Sequence, residues 1–218
     1  MIHLNKLAAP DVLRRHAAEW TAELLAAIQR GTNLSEARKR RYNTPGIKER
    51  LLTETHAKCA YCESKLTHVT YGDIEHITPK SSARERTYEW ENLTIACDIC
   101  NTNKGDQEGV IDPYQVDPET VHFRFMGPMV TIRGDSEPGK LTLTLLQLNR
   151  PPLMEIRKER IEDLGRRLRE ILKTQDEVTR TVLAKALING ETDASKEFAA
   201  CARAFVHDKE RDGELVAL

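Results

Sequence analysis

The chain has no apolar run long enough to cross a bilayer, and no apolar stretch that reads as a secretory leader. Those absences argue against a membrane-spanning helix and predict a cytoplasmic protein. It also lacks an excess of either charge: 33 Lys and Arg face 34 Asp and Glu, for a net charge of −1. A near-neutral molecule is not a polycation, so any nucleic-acid surface must be a local patch or come from a partner. There is no internal repeat and no low-complexity tract. What is present is an ordinary globular composition, 39% hydrophobic and 31% charged over 218 residues. That is enough for one large domain, or for a small core with helical additions.

Two arms flank a central stretch. Over residues 10–30, Leu13, Ala17, Trp20, Leu24 and Ile28 recur at helical spacing, with Pro10-Asp11 suited to the start and Gly31 to the stop. The run Arg38-Lys39-Arg40-Arg41 reads first as a solvated helix face and second as a phosphate contact. Thr44-Pro45 opens a short helix whose Ile47, Leu51 and Thr55 share one side. Further on, Val121 to Phe125 and Met129 to Ile132 flank Met126-Gly127-Pro128, the pattern of a small β-hairpin, and residues 134–139 read as a loop. From Pro152 the positions Leu164, Leu168, Ile171, Gln175, Val178 and Val182 predict one long helix ending near Gly190. A last helix carries Phe198, Cys201 and Phe205 on one face. The expected division is a helical region over 1–56, a compact core over 57–112, and a hairpin with helices over 113–218. Neither arm carries a chemical motif of its own.

Four of the five cysteines fall in two Cys-x-x-Cys pairs, Cys59/Cys62 and Cys97/Cys100. In a reducing compartment such a quartet favours a metal over two disulfides. A tight turn lets two sulfurs reach one ion, and four thiolates fill a tetrahedral shell, so the expected ion is a structural Zn²⁺. It would close the 34-residue segment between Cys62 and Cys97. Cys201 stands apart on an apolar face and reads as a buried free thiol.

A zinc knuckle does not explain what lies between the pairs: Asp73-Ile74-Glu75-His76, Trp90-Glu91-Asn92-Leu93, and Asn101 just after Cys100. Phosphodiester hydrolysis needs an activated water, neutralisation of the scissile phosphate and a stabilised leaving oxygen. His76 has the imidazole to take a proton near neutral pH. Glu75 and Asn101 offer oxygen to a hard cation such as Mg²⁺ or Mn²⁺. Lys80 and Lys104 are candidate contacts for a substrate phosphate. Asp73 shares a strand face with Glu75, and its role stays open. A zinc deaminase is rejected: it needs His-x-Glu and a water on the zinc, whereas here the order is Glu-His and four sulfurs complete the shell.

In this order the residues resemble the HNH endonuclease motif. The resemblance implies an α+β, mostly helical protein with a ββα-metal core and a four-cysteine zinc site, flanked by N- and C-terminal helices. It implies His76 as general base, Glu75 and Asn101 as ligands of a catalytic Mg or Mn, and Asn92 as the brace of the loop. Many members have histidine where Asn101 stands. The segments 59–63, 73–80, 90–93 and 97–104, with Ile111-Asp112-Pro113 and Leu145 to Arg150, are further similar to the PtuB-like family of Septu anti-phage systems. That likeness implies cleavage of nucleic acid, DNA ahead of RNA, beside a PtuA-like ABC/SMC-type ATPase, and for some pairs a retron RNA–DNA complex. Two other readings stay open: a free-standing restriction or mobile-element HNH nuclease, and a non-catalytic zinc module that binds nucleic acid or protein.

Overall fold

The computed structural model describes residues 1–66, 72–213 and 215. Helix α1 (Asp11–Gln29) lies against the short 3-10 turn Arg84–Arg86 and buries Leu13, Leu24 and Ala27. Its inner stripe passes through Ala27, which leaves Ile28 47% exposed, against expectation. Helix α2 (Glu36–Lys39) is a single turn capped by Ser35. Helix α3 (Pro45–Glu54) starts as its sequence dictates: the Thr44 hydroxyl accepts from Ile47 N and Pro45 fills the first turn. Ile47 and Leu51 are fully buried.

The centre is a ββα unit. Strands β1 (Asp73–His76) and β2 (Leu93–Ala96) pair antiparallel, with Asp73 opposite Ala96 and His76 opposite Leu93. Helix α4 (Asp98–Lys104) follows at once. Gly72 enters β1 at φ +64°, and a Cβ there would lie 2.8 Å from Leu66 Cδ1 and 3.2 Å from the Ala96 carbonyl oxygen. Only glycine satisfies both demands.

After α5 (Pro118–Val121), the expected hairpin forms from β3 (Phe123–Met126) and β4 (Met129–Ile132). The segment read as a loop instead opens helix α6 (Glu137–Leu145): Ser136 caps it by accepting from Gly139 N, and Pro138 sits in its first turn. Loop-like residues here are helix-start residues.

The long helix expected from Pro152 is two helices, α7 (Pro151–Leu172) and α8 (Glu177–Thr192). Asp176 makes the break by accepting from Thr179 N at 2.7 Å, which caps α8. The hairpin so formed, completed by α9 (Ala199–Arg211), buries Leu164, Leu168, Ala184, Leu187, Ala202 and Val206 in a small cluster. A straight helix would leave those stripes in water. Val178 and Val182, read as part of the stripe, are 71% and 60% exposed. Gly165 permits the close approach of α9, since a Cβ there would lie 3.1 Å from the Phe205 ring. Cys201 is buried, as expected, and burial pushes its thiol up to about 11.

The main core draws on all three stretches of the chain. Leu4, Leu51, Tyr61, Ile95, Leu148 and Phe198 belong to one continuous cluster. No described helix is long and apolar enough to cross a membrane.

Candidate active site

The four knuckle sulfurs converge. Cys59, Cys62, Cys97 and Cys100 place their Sγ atoms within 4.8 Å of one another, with Cys62 and Cys97 at 3.8 Å. Four sulfurs about 2.3 Å from a tetrahedral ion sit about 3.8 Å apart, so the donor set fits zinc in both chemistry and size. Hydrogen bonds from the neighbouring thiols, Cys100 first, hold Cys62 well below the usual thiol range. The first knuckle is tied to the sheet by Ala60 N, which donates to the Ile95 carbonyl at 3.0 Å. In the second, Cys97 is the N-cap of α4 and its sulfur accepts from Cys100 N. Arg150, at the start of α7, points its two Nη atoms at Cys100 Sγ from 3.8 and 3.9 Å. A tetrathiolate zinc carries two net negative charges, and this guanidinium offsets one of them.

Because the knuckle fixes the start of α4, it also fixes what the helix carries. Asn101 and Lys104 are three residues apart and share one face. Asp73 and Glu75 are two apart on β1 and share one face. The two faces meet rung by rung: Asn101 Nδ2 donates to Asp73 Oδ2 at 3.1 Å, and Lys104 Nζ to Glu75 Oε1 at 2.7 Å. Lys104 also donates to the His76 carbonyl at 2.8 Å and is 1% exposed. The expected phosphate contact by Lys104 is therefore corrected. Its ammonium is spent inside, as the counter-charge of a buried carboxylate. Burial still pushes the Glu75 carboxyl up, with Lys104 opposing.

His76 ends β1 and is buried. Its Nε2 lies 2.9 Å from the Thr87 carbonyl oxygen, which only accepts, so Nε2 carries the proton. Nδ1 is then the basic nitrogen, and among the described residues it has no hydrogen-bond partner. Burial pushes the ring down to about 4, so it is neutral near pH 7. The Tyr42 ring stands edge-on to it, with centroids 4.6 Å apart.

Asn92 sits behind, fully buried. Its Oδ1 accepts from Thr78 N at 2.7 Å, and its Nδ2 donates to the carbonyls of Thr78 and Arg86. It ties the two ends of the loop that carries Thr87. Asn92 therefore stands as a positioning residue, the place expected of the brace, and touches loop backbone rather than the cleft.

These pieces surround one cleft of about 390 Å³. Asp73, Glu75, His76 and Asn101 line it, with Lys80 at its edge, where Nζ donates to the Tyr42 hydroxyl at 2.8 Å. Two cleft residues had no signal of their own in the sequence, Tyr42 and Lys48; they arrive from the N-terminal arm with Arg40, a member of the basic run whose second reading was a phosphate contact. Within the basic run, Arg38 and Arg41 both pair with Glu23, while Arg40, 4.0 Å from Glu36, lines the cleft.

Residues 59–107 match the family model described as HNH endonuclease. Over 154 residues the chain is 32% identical to the Septu protein PtuB of Bacillus thuringiensis, covering 68% of this chain and 55% of that protein. The chain is a PtuB-like HNH protein. A second relative, the Septu protein PtuB of Bacillus mycoides (strain KBAB4), is 25% identical over 166 residues, which is 60% of this chain and 56% of that one. The chain spans little more than half the length of these relatives. The HNH match begins at the first knuckle cysteine and ends just past α4, so it coincides with the ββα unit and its four-cysteine cluster.

Proposed function

We propose that this chain hydrolyses phosphodiester bonds of nucleic acid, DNA ahead of RNA, as the nuclease subunit of an anti-phage defence complex. One observation carries the reading: a buried histidine whose Nδ1 has no hydrogen-bond partner among the described residues lines the same cleft as two carboxylates and an amide. His76 Nδ1 takes the proton of the attacking water, and the Thr87 carbonyl holds the ring in the tautomer that leaves this nitrogen basic. Glu75, Asn101 and Asp73 are the oxygen donors that would hold Mg²⁺ or Mn²⁺. Such a cation supplies neutralisation at the scissile phosphate and at the leaving oxygen. Lys80 and Arg40 face the phosphates on either side.

Asp73 has the oxygen chemistry of a third ligand. Its carboxylate accepts from the Asn101 amide nitrogen, which turns the Asn101 oxygen away from that bond and leaves it available.

The partner is an ABC/SMC-type ATPase of the PtuA kind. The name of the relatives, Septu protein, supports that assignment, and so does the near-neutral surface of a chain that offers no dedicated DNA-reading module. Two measurements test the proposal. Plasmid is incubated with the protein in Mg²⁺, Mn²⁺ or chelator; cutting in both ions and none in chelator is expected. The protein is also passed over a sizing column with a PtuA-type ATPase. Separate elution at all ratios removes the defence-complex part, while cutting without divalent ion removes the metal.

A further inference from the structure

The wall of the cleft continues beyond the reacting groups. A second groove of about 380 Å³ opens beside it, and the two share Arg40 and Lys80. Thr87, whose carbonyl orients His76, lines this second groove as well. The groove has two unlike sides. One is aliphatic and comes from α1 and the turn after it: Leu24, Ala27, Ile28 and Leu34. The other is cationic on balance: Arg40, Lys80 and Arg84, with Lys39 and Arg40 both paired to Glu36, which lines the groove as well. Arg84 is exposed and makes no ion pair among the described residues.

A duplex turns phosphates outward on every side and keeps its bases stacked within. It would use the cationic rim and gain nothing from the aliphatic wall. An unpaired strand offers both a phosphate chain and exposed base and sugar faces, so it matches both sides. Continuity with the cleft fixes where such a strand would lead.

We propose that this groove receives unpaired nucleotides next to the scissile phosphate, with the backbone crossing from Lys80 and Arg40 to Arg84 and the bases against Leu24, Ile28 and Leu34. The inference rests on the nuclease reading of the cleft. It makes the preferred substrate a junction between duplex and single strand, such as a tail, flap or bubble, rather than uninterrupted duplex.

The test uses His76→Ala protein, so that nothing is cut, and two labelled DNA probes followed by fluorescence anisotropy. One is a blunt duplex; the other is the same duplex with a short unpaired tail. The tailed probe is expected to bind about tenfold tighter, because apolar contact with unpaired bases and additional phosphates each add affinity. Adding Ile28→Ser should erase that advantage and leave blunt-duplex binding within about twofold, while Arg84→Glu, which removes a phosphate contact open to both probes, should weaken the tailed probe more than the blunt one. Equal binding of the two probes before either change overturns the groove, as does an equal loss on both probes after it. Cutting of blunt duplex by protein with Arg84→Glu alone is measured alongside. Normal cutting by that protein together with equal binding of the two probes by His76→Ala protein sinks the groove and spares the nuclease; no binding and no cutting at all sinks both.

Discussion

His76 shows how much of the chemistry is set by one side chain's surroundings. In water an imidazole is half protonated near pH 6.5, and a protonated ring is no base. Here burial disfavours the charged form and lowers the value to about 4, so the basic form persists through mildly acidic solution. The sign is plain: only the neutral ring accepts a proton, and the lowered value extends the neutral range downward. The acid limb of a kcat/KM profile should therefore lie well below 6.5. A limb at or above 6.5 would mean that His76 is solvated or is not the base. Arg150 gives a second prediction at this scale. Its guanidinium touches Cys100 Sγ and was silent in the sequence, because nothing in its own neighbourhood announces a sulfur 50 residues away. Arg150→Gln should release zinc to a chromogenic chelator about tenfold faster, on the usual cost of losing a charged contact around a metal ligand. Unchanged release would make the contact incidental. The same limit explains the corrected Lys104. Its spacing from Asn101 put it on the right face, but only the packing of α4 on β1 shows that Glu75 claims it.

At the scale of elements, legibility followed local chemistry. Thr44-Pro45 and the alternation of β3 and β4 were readable because capping and pleating are nearest-neighbour effects. The break at Asp176 was not, since a polar cap inside a periodic stripe looks like one more solvated position. It becomes a turn because the hairpin lets two apolar stripes cover each other. The ββα unit depends on a similar local demand at Gly72. Gly72→Ala combines a positive φ with a contact under 3 Å, so it should cost about 1–3 kcal/mol and lower the melting temperature. Alanine at Gly46, which has open space around it, serves as the control. Equal melting of the two variants would contradict the packing described for the entry to β1.

For the whole molecule, the four-cysteine ββα unit is small and its cleft is finished by the N-terminal arm. Tyr42, Arg40 and Lys48 come from outside the HNH segment, and the core that holds them runs into the C-terminal helices. Motif order in the sequence picked out Glu75, His76 and Asn101, which line one cleft. It had no means of showing the arm that closes over them, since that contact is made by packing and carries no periodic or spacing signal. If the sulfur-bound ion organises the cleft, stripping zinc should remove nucleic-acid cutting and loosen the fold together, as in domains whose metal energy is folding energy. Loss of zinc with full cutting would detach the clamp from the chemistry.

The most direct measurement compares wild type with His76→Ala under single turnover in Mg²⁺ or Mn²⁺, at equal zinc content and equal melting temperature. A general base contributes on the order of 10²- to 10⁴-fold, so the variant should cut at least a hundredfold more slowly, by about that lower bound, while still binding DNA. Equal rates in the two proteins would contradict the proposed base, and with it the nuclease mechanism built on this cleft.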